Sequence, residues 1–412
     1  MLNWFPTPYP DELWYSVLCR FYVSSGIRES TLVKDLLFQG MRSAKMGFLY
    51  PSSSMRLVLS QLPPQAFNPR KMILKHTTFL YFARMYKREG KEALLKDILS
   101  GQVRKPAHIY AAVPRKGYSL RYCPLCIQED SQNYGEPYYH VEHQIPLSSV
   151  CVRHRCYLIQ LDIHNPELAL NGRFWPLSQE ETCAEAVECK QESELRVNRL
   201  IYEYWKMPIS AGPTEGHNNL IQTLLNGGYL NIQPKVGPVV NKTKLYEDLY
   251  SFHGKESVEK VFGKKIPNDA LTRIKHWDQL LPDRYIYIQA LLGMPSKQVF
   301  DDEPVEDLLL SEIRKLEQQG GFTTLREVAR ILNRKPYEVK NVFQYYGIDP
   351  IWHAVPSGKN TVAKNASLRC NVPAEELNQI RETAKMLGYR GEGPFALDCV
   401  RYVMEQRQGK GQ

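Results

Sequence analysis

The sequence predicts a mainly α-helical, multidomain protein. Three observations lead there: a length of 412 residues, short segments with apolar residues at helical spacing joined by short turns, and two close cysteine/histidine pairs placed like metal-binding knuckles. The length exceeds what one core usually holds, since domains run to about 100–200 residues. The order predicted is an N-terminal helix-turn-helix-like domain over 1–118, a zinc-finger domain over 119–165 and a helical middle over 166–318. A helix-turn-helix follows over 319–350, then a basic linker with a ribbon-helix-helix-like unit over 351–412.

Composition bounds the function. With 43% hydrophobic and 24% charged residues, and no apolar run near the roughly 18 needed to cross a bilayer, membrane insertion is not expected. The opening Met1 to Pro6 lacks a basic and then apolar signal segment, which predicts a cytoplasmic protein, associated with the nucleoid if it binds DNA. In that reducing setting the close pairs among nine cysteines read as metal ligands rather than disulfides. Net charge is +9, and the stretch from Arg70 to Arg121 carries thirteen Lys or Arg against three acids, enough to face phosphate or to form a solvated helical surface.

In the N-terminal region, Pro10 to Tyr22 opens with a proline and acids suited to a first turn and repeats Leu13, Val17 and Phe21 at helical spacing, with Gly26 as its stop. Further helices are predicted over Thr31–Phe38, Ser54–Leu62, Pro69–Lys87 and Lys91–Leu99.

The sharpest chemical signal is Cys123-x-x-Cys126 followed, after 24 residues, by Cys151-x-x-His154. Each turn points its two ligands the same way, and three thiolates with one imidazole make a structural zinc set that leaves no position open for a catalytic water. One structural zinc is therefore expected. His140, His143 and Cys156 lie near enough to compete but do not share the two-residue spacing. Cys183 and Cys189 are poorly spaced for a second metal.

The segment Pro8 to Arg20, the knuckle Arg121 to Cys126, and the run Gly135 to Pro146 ahead of Cys151 to His154 together resemble the TniQ/TnsD family of bacterial transposon target-selection proteins. The resemblance is specific over about residues 4–160, and Arg284 to Gly293 is similar to a helical segment of longer TnsD-like members. It implies recruitment of the AAA+ ATPase TnsC, with other transposase subunits, to a chosen target. Val152 and Arg155 stand where the family's second knuckle usually has proline and glycine, which bears on the turn and not on the ligands. Short members resemble adaptors linking a guide-RNA complex to the ATPase, whereas longer ones carry an extension that reads an attachment site in double-stranded DNA.

Such an extension has its own signals. From Thr324 to Gly347 the chain scans as a helix-turn-helix. Thr324 caps the first helix, Val328, Ala329 and Leu332 face inward, Asn333 to Lys335 turn, and Pro336 opens the second helix with Val339, Val342 and Phe343 inward. That leaves Tyr337, Lys340, Asn341 and Gln344 to read a major groove and Arg326, Arg330, Arg334 and Lys335 to hold phosphates, the alternative being an ordinary helical hairpin. After the acid-free stretch His353–Arg369, Ala366 to Pro373 alternates like a short strand, followed by helices from Pro373 to Gly388 and Pro394 to Gln406. In a ribbon-helix-helix, Ser367, Arg369 and Asn371 would be the reading side chains. The alternative is a terminal strand and helices packed on the protein's own body.

Catalysis is not expected. Walker, GxGxxG, GxSxG and HExxH motifs are missing from the sequence, and Asp301, Asp302, Glu303, Glu306 and Asp307 cluster on one predicted surface turn rather than at two-metal spacing. An unrelated zinc-containing transcription regulator is the remaining alternative.

Overall fold

The computed structural model describes residues 2–41, 50–102, 119–161, 174–178, 184–212, 219–234, 236–263, 282–300, 305–320, 324–348, 374–389 and 391–408. It is mainly helical, with two short two-stranded sheets among the described residues. The chain divides into two compact units, Met1–Ala354 and Val355–Gln412.

The first unit begins with a bundle of six helices: α1 (Trp14–Ser24), α2 (Ser30–Phe38), α3 (Ser53–Leu59), α4 (Pro69–His76), α5 (Phe79–Ala83) and α6 (Arg88–Ser100). The expected apolar stripe of α1 is buried at Val17, Leu18 and Phe21, and Gly26 adopts φ +67° just past its end. Two local expectations change. Pro10, Asp11 and Glu12 precede α1 instead of forming its first turn, because Glu12 is drawn inward: its carboxylate accepts from the Tyr9 N–H (2.9 Å) and from Arg20 Nη1 (2.9 Å). Burial nonetheless pushes the Glu12 carboxyl up to about 7, against the opposing pull of Arg20. The predicted helix Pro69–Lys87 is broken after His76, where the Thr77 carbonyl accepts from Trp205 Nε1 (3.0 Å) and the Thr77 hydroxyl accepts from the Phe79 N–H (3.2 Å).

Beyond the bundle come β1 (Arg121–Tyr122), α7 (Pro124–Tyr134) and β2 (Ile159–Gln160), then the long α8 (Glu192–Lys206). They are followed by α9 (Asn219–Asn226), β3 (Leu230–Gln233), β4 (Gly237–Val240), α10 (Lys242–His253), α11 (Lys255–Phe262), α12 (Pro282–Leu292) and α13 (Ser296–Val299). One hydrophobic core runs without interruption from Phe5 to Phe300 through these elements.

Helix α8 lies at its centre. Val197, Leu200, Ile201, Tyr204 and Trp205 recur at helical spacing and are buried. Its last turn is capped by a side chain from the N-terminal bundle: Arg84, wholly buried, donates to the carbonyls of Tyr204 (2.7 Å), Met207 (2.6 Å), Pro208 (2.8 Å) and Ala211 (2.6 Å). Lys91 donates to Ala211 as well. The carbonyl end of a helix carries partial negative charge and lacks intrahelical donors, so a buried guanidinium is stabilised there without a carboxylate. Burial pushes Arg84 only down to about 10, so it stays charged at neutral pH.

These contacts revise the reading of the basic stretch. Arg84 and Lys91 are internal, Arg70 is paired with Glu92 (2.7 Å), and Arg121 donates to the carbonyls of Ile145, Pro146 and Ser148. Arg84, Lys91 and Arg121 thus secure the protein's own backbone, while Lys71, Lys75, Lys87, Arg88 and Lys96 of the same stretch are exposed.

A smaller core follows, built by α14 (Leu308–Gln319), α15 (Leu325–Ile331) and α16 (Pro336–Tyr346) from Ile313, Leu316, Val328, Ala329, Val339, Val342 and Phe343. The second unit contains α17 (Ala374–Met386) and α18 (Glu392–Gln408), with Gly388 at φ +79° after α17 and Ala384 buried.

Replacing Arg84 with Met would strand several buried carbonyls at the end of α8. It is expected to cost the first unit about 2–5 kcal/mol, seen as a lower midpoint in thermal unfolding. An unchanged midpoint would mean that water satisfies those carbonyls as well as Arg84 does.

Candidate metal centre and candidate nucleic-acid interface

The two knuckles are brought together by pairing of the chain before the first with the chain after the second. Strands β1 and β2 are antiparallel, with Arg121 opposite Gln160 and Tyr122 opposite Ile159. Cys123 is the N-cap of α7, Pro124 opens the helix, and the Cys126 N–H points at Cys123 Sγ (3.4 Å). The second knuckle is closed by the Arg155 N–H to the Cys151 carbonyl (2.8 Å) and the Cys151 N–H to the Cys156 carbonyl (2.9 Å). Arg155 has φ +53°, a left-handed conformation that favours glycine, so the turn keeps the backbone of the glycine-bearing pattern despite its arginine.

The donor atoms of Cys123, Cys126, Cys151 and His154 all lie within 4.8 Å of one another. His154 Nδ1 is 3.5 Å from Cys123 Sγ, 3.3 Å from Cys126 Sγ and 3.6 Å from Cys151 Sγ, and Cys126 Sγ is 3.7 Å from Cys151 Sγ. A tetrahedral ion with bonds of about 2.3 Å to sulfur and 2.0–2.1 Å to nitrogen would separate its ligands by about 3.8 Å (S to S) and 3.6 Å (S to N). The four side chains therefore fit one metal ion. The three cysteines are buried, and grouped thiolates there require a cation to offset their charge.

One neighbour was not legible in the ligand spacing. Glu129, one turn beyond Cys126 on α7, accepts from His154 Nε2 (2.9 Å) and from Arg153 Nη1 (3.1 Å). A carboxylate behind a ligating histidine fixes the tautomer that presents Nδ1 as donor, and orients the ring. Cys156 Sγ lies 3.3 Å from Cys123 Sγ but outside the four-atom group. Its hydrogen bond to Cys123, with burial, pushes the Cys156 thiol up. His140 is buried against Asp130 (Nε2 to Oδ2, 2.8 Å), and His143 is buried nearby; neither belongs to the group. Cys189 is buried, its N–H donating to the Arg155 carbonyl (2.8 Å), while Cys183 lies outside the described residues.

In the C-terminal part of the first unit, Thr324 Oγ1 accepts from the Glu327 N–H (3.2 Å), and Glu338 accepts from the Lys335 N–H (3.2 Å) at the start of α16. Asn333, at φ +48°, makes the turn between α15 and α16. The two helices carry the expected inward residues, and α14 adds a third helix to the unit. Arg326, Arg330, Arg334, Lys335, Tyr337, Lys340 and Gln344 are exposed, whereas Asn341 is half-buried. Arg330, Asn333, Arg334 and Lys335 surround a surface hollow of about 410 Å³ at the turn. Asn341 lines a different cleft, of about 350 Å³, shared with Tyr337 and Asn231. Ser367, Arg369 and Asn371 lie outside the described residues.

A TniQ domain accounts for the N-terminal architecture: residues 3–158, which hold the bundle and both knuckles, match the TniQ family. The chain resembles the TniQ family through this region, which is less than half of its length. It is similar to the transposon Tn7 transposition protein TnsD of Escherichia coli, at 23% identity over 184 residues. That alignment covers 43% of this chain and 35% of the relative's length.

Glu129→Ala is expected to weaken metal affinity about 10- to 100-fold while leaving a stoichiometry of one ion per chain at saturation. Cys156→Ala should also retain one ion, whereas Cys151→Ser should lose it and destabilise residues 119–160. Metal analysis of the purified variants checks all three; an ion lost with Cys156 and kept without Cys151 would reassign the ligands.

Proposed function

We propose that this protein selects insertion sites for a bacterial transposon, reading an attachment site in double-stranded DNA with its C-terminal region and recruiting the AAA+ ATPase TnsC through its TniQ domain. The observation that carries this reading is the joining, in one chain, of a TniQ domain to a separately cored three-helix unit with exposed cations and amide side chains. Its metal is zinc, held by Cys123, Cys126, Cys151 and His154 in a structural role: three thiolates and an imidazole suit that ion, and all four positions are filled by protein. The protein acts by binding, with transposase subunits supplying the chemistry.

Helix α16 is the reading helix. Tyr337, Lys340 and Gln344 share an exposed face that can meet base edges, and Arg330, Arg334 and Lys335 at the turn hold backbone phosphates. The second unit is a further DNA-binding module of the ribbon-helix-helix kind. Leu397 and Val400 on α18 are exposed, as expected of a fold completed by a second copy.

The decisive experiment is selection of genomic duplex fragments by the purified protein at about 0.15 M salt, where sequence-blind phosphate attraction is partly suppressed. Enrichment of one sequence is expected. Uniform, salt-sensitive binding would instead favour an adaptor between a guide-RNA complex and the ATPase. With the enriched duplex, Lys340→Ala with Asn341→Ala should weaken specific binding by about 1–3 kcal/mol, and an unchanged sequence preference would remove α16 as the reader.

A further inference from the structure

Beside α16 lies an element with no place in the helix-turn-helix itself. The β3–β4 hairpin pairs Leu230 with Val240 through to Gln233 with Gly237, and it comes from about a hundred residues earlier in the chain. Its strand period of two divides its side chains: Leu230 is buried in the main core and Ile232 packs on the core of α14, α15 and α16, while Asn231 and Gln233 are exposed. The hairpin is thus anchored to both cores. Asn231 and Ile232 line the 350 Å³ cleft together with Lys335, Tyr337, Glu338 and Asn341.

We propose that this hairpin is a wing, a second DNA-contacting element that meets the sugar–phosphate backbone beside the groove occupied by α16. The proposal rests on the reading of α16 given above. Three observations support duplex DNA as the partner. No carboxylate side chain occurs from residue 216 to 246, while Lys235 and Lys242 fall within that stretch; Lys244, also there, donates to the Gly227 carbonyl (2.6 Å). The outward side chains Asn231 and Gln233 are amides, and Val236 in the turn is 62% exposed, so the described outward residues carry no charge opposed to phosphate. Pro238 in β4 removes a backbone donor, which disfavours addition of a peptide strand to that edge and argues against a protein partner there.

Dimensions agree with this placement. A helix with its side chains is about 10–12 Å across and fills a major groove about 12 Å wide. An element packed along the flank of α16 therefore cannot enter the same groove and falls on its wall, where phosphates are. Amide side chains and backbone N–H groups are common phosphate donors, and such contacts set position rather than sequence preference.

The test uses the full chain and its enriched duplex, with Asn231→Glu and Gln233→Glu combined, and Asn231→Ala with Gln233→Ala as a milder pair. Both positions are exposed, so thermal unfolding should be unchanged. The glutamate pair is expected to weaken binding about tenfold or more and to erase hydroxyl-radical protection on one flank of the site, while the order of preference among duplexes is kept. The alanine pair should lose flank protection in the same place with a smaller loss of affinity, and it serves as the deciding variant if the glutamates lower the unfolding midpoint. Full affinity and a full-width footprint in the hairpin variants, with preference lost in Lys340→Ala/Gln344→Ala, would overturn the wing and leave α16 as reader. Preference retained in Lys340→Ala/Gln344→Ala would overturn the reading of α16 and the wing with it.

Discussion

The first unit depends on how the polar groups of one buried helix are satisfied. Helix α8 passes through the core with an apolar face, yet its carbonyl end and several of its polar side chains are hydrogen-bonded by parts of the chain that are distant in sequence. Arg84 and Lys91 from the N-terminal bundle hold its carbonyl end. Asn198 accepts the backbone N–H groups of Ser149 (2.9 Å) and Val150 (3.1 Å), directly ahead of Cys151. Tyr204 donates to Gln289 of α12 (2.8 Å), and Glu203 accepts the Ser296 N–H (3.2 Å). Because an unpaired buried polar group is costly, these partners can be arranged in few other ways, and the bundle, the metal-binding turns and the middle helices are set relative to one helix.

That arrangement gives the metal centre its meaning. The knuckles sit on two-residue strands and short turns that bury little apolar surface of their own, so the grip of Asn198 on the chain ahead of Cys151 helps to set their geometry, and an ion among the four side chains would add to it. The centre therefore joins the bundle to α8 rather than forming a free-standing finger. A continuous core from Phe5 to Phe300 makes these elements one body. The Ile232 contact carries the connection on to the three-helix unit.

Charge is distributed by use and not by local density. In the N-terminal basic stretch, Arg84, Lys91 and Arg121 are committed to carbonyls and Arg70 to a carboxylate. Around the turn between α15 and α16, Arg330, Arg334 and Lys335 are instead exposed around one hollow. Phosphate binding requires cations that are not already committed to the protein's own backbone, and Lys71, Lys75, Arg88 and Lys96 in the N-terminal stretch are exposed as well as the C-terminal set.

The sequence by itself determined the helical class, the four residues that cluster as candidate ligands and the two helices of the C-terminal motif. Each of these is a local matter: ligand spacing within a turn, apolar residues at helical period, a capping threonine, a proline at a first turn. The stripe from Val197 to Trp205 was equally legible in principle, but periodicity alone does not reveal that Asn198 within it faces Ser149 and Val150. Tertiary structure decided whatever depends on pairs far apart in the chain. It drew Glu12 out of a predicted helix to meet Arg20, broke the helix at Thr77 for Trp205, and turned Arg84 from a surface cation into a cap. It also set Glu129 behind His154, and a hairpin beside α16. Local propensities are worth tenths of a kcal/mol per residue, whereas a buried charge or polar group left without its partner costs several times more, so long-range pairing prevails wherever the two conflict.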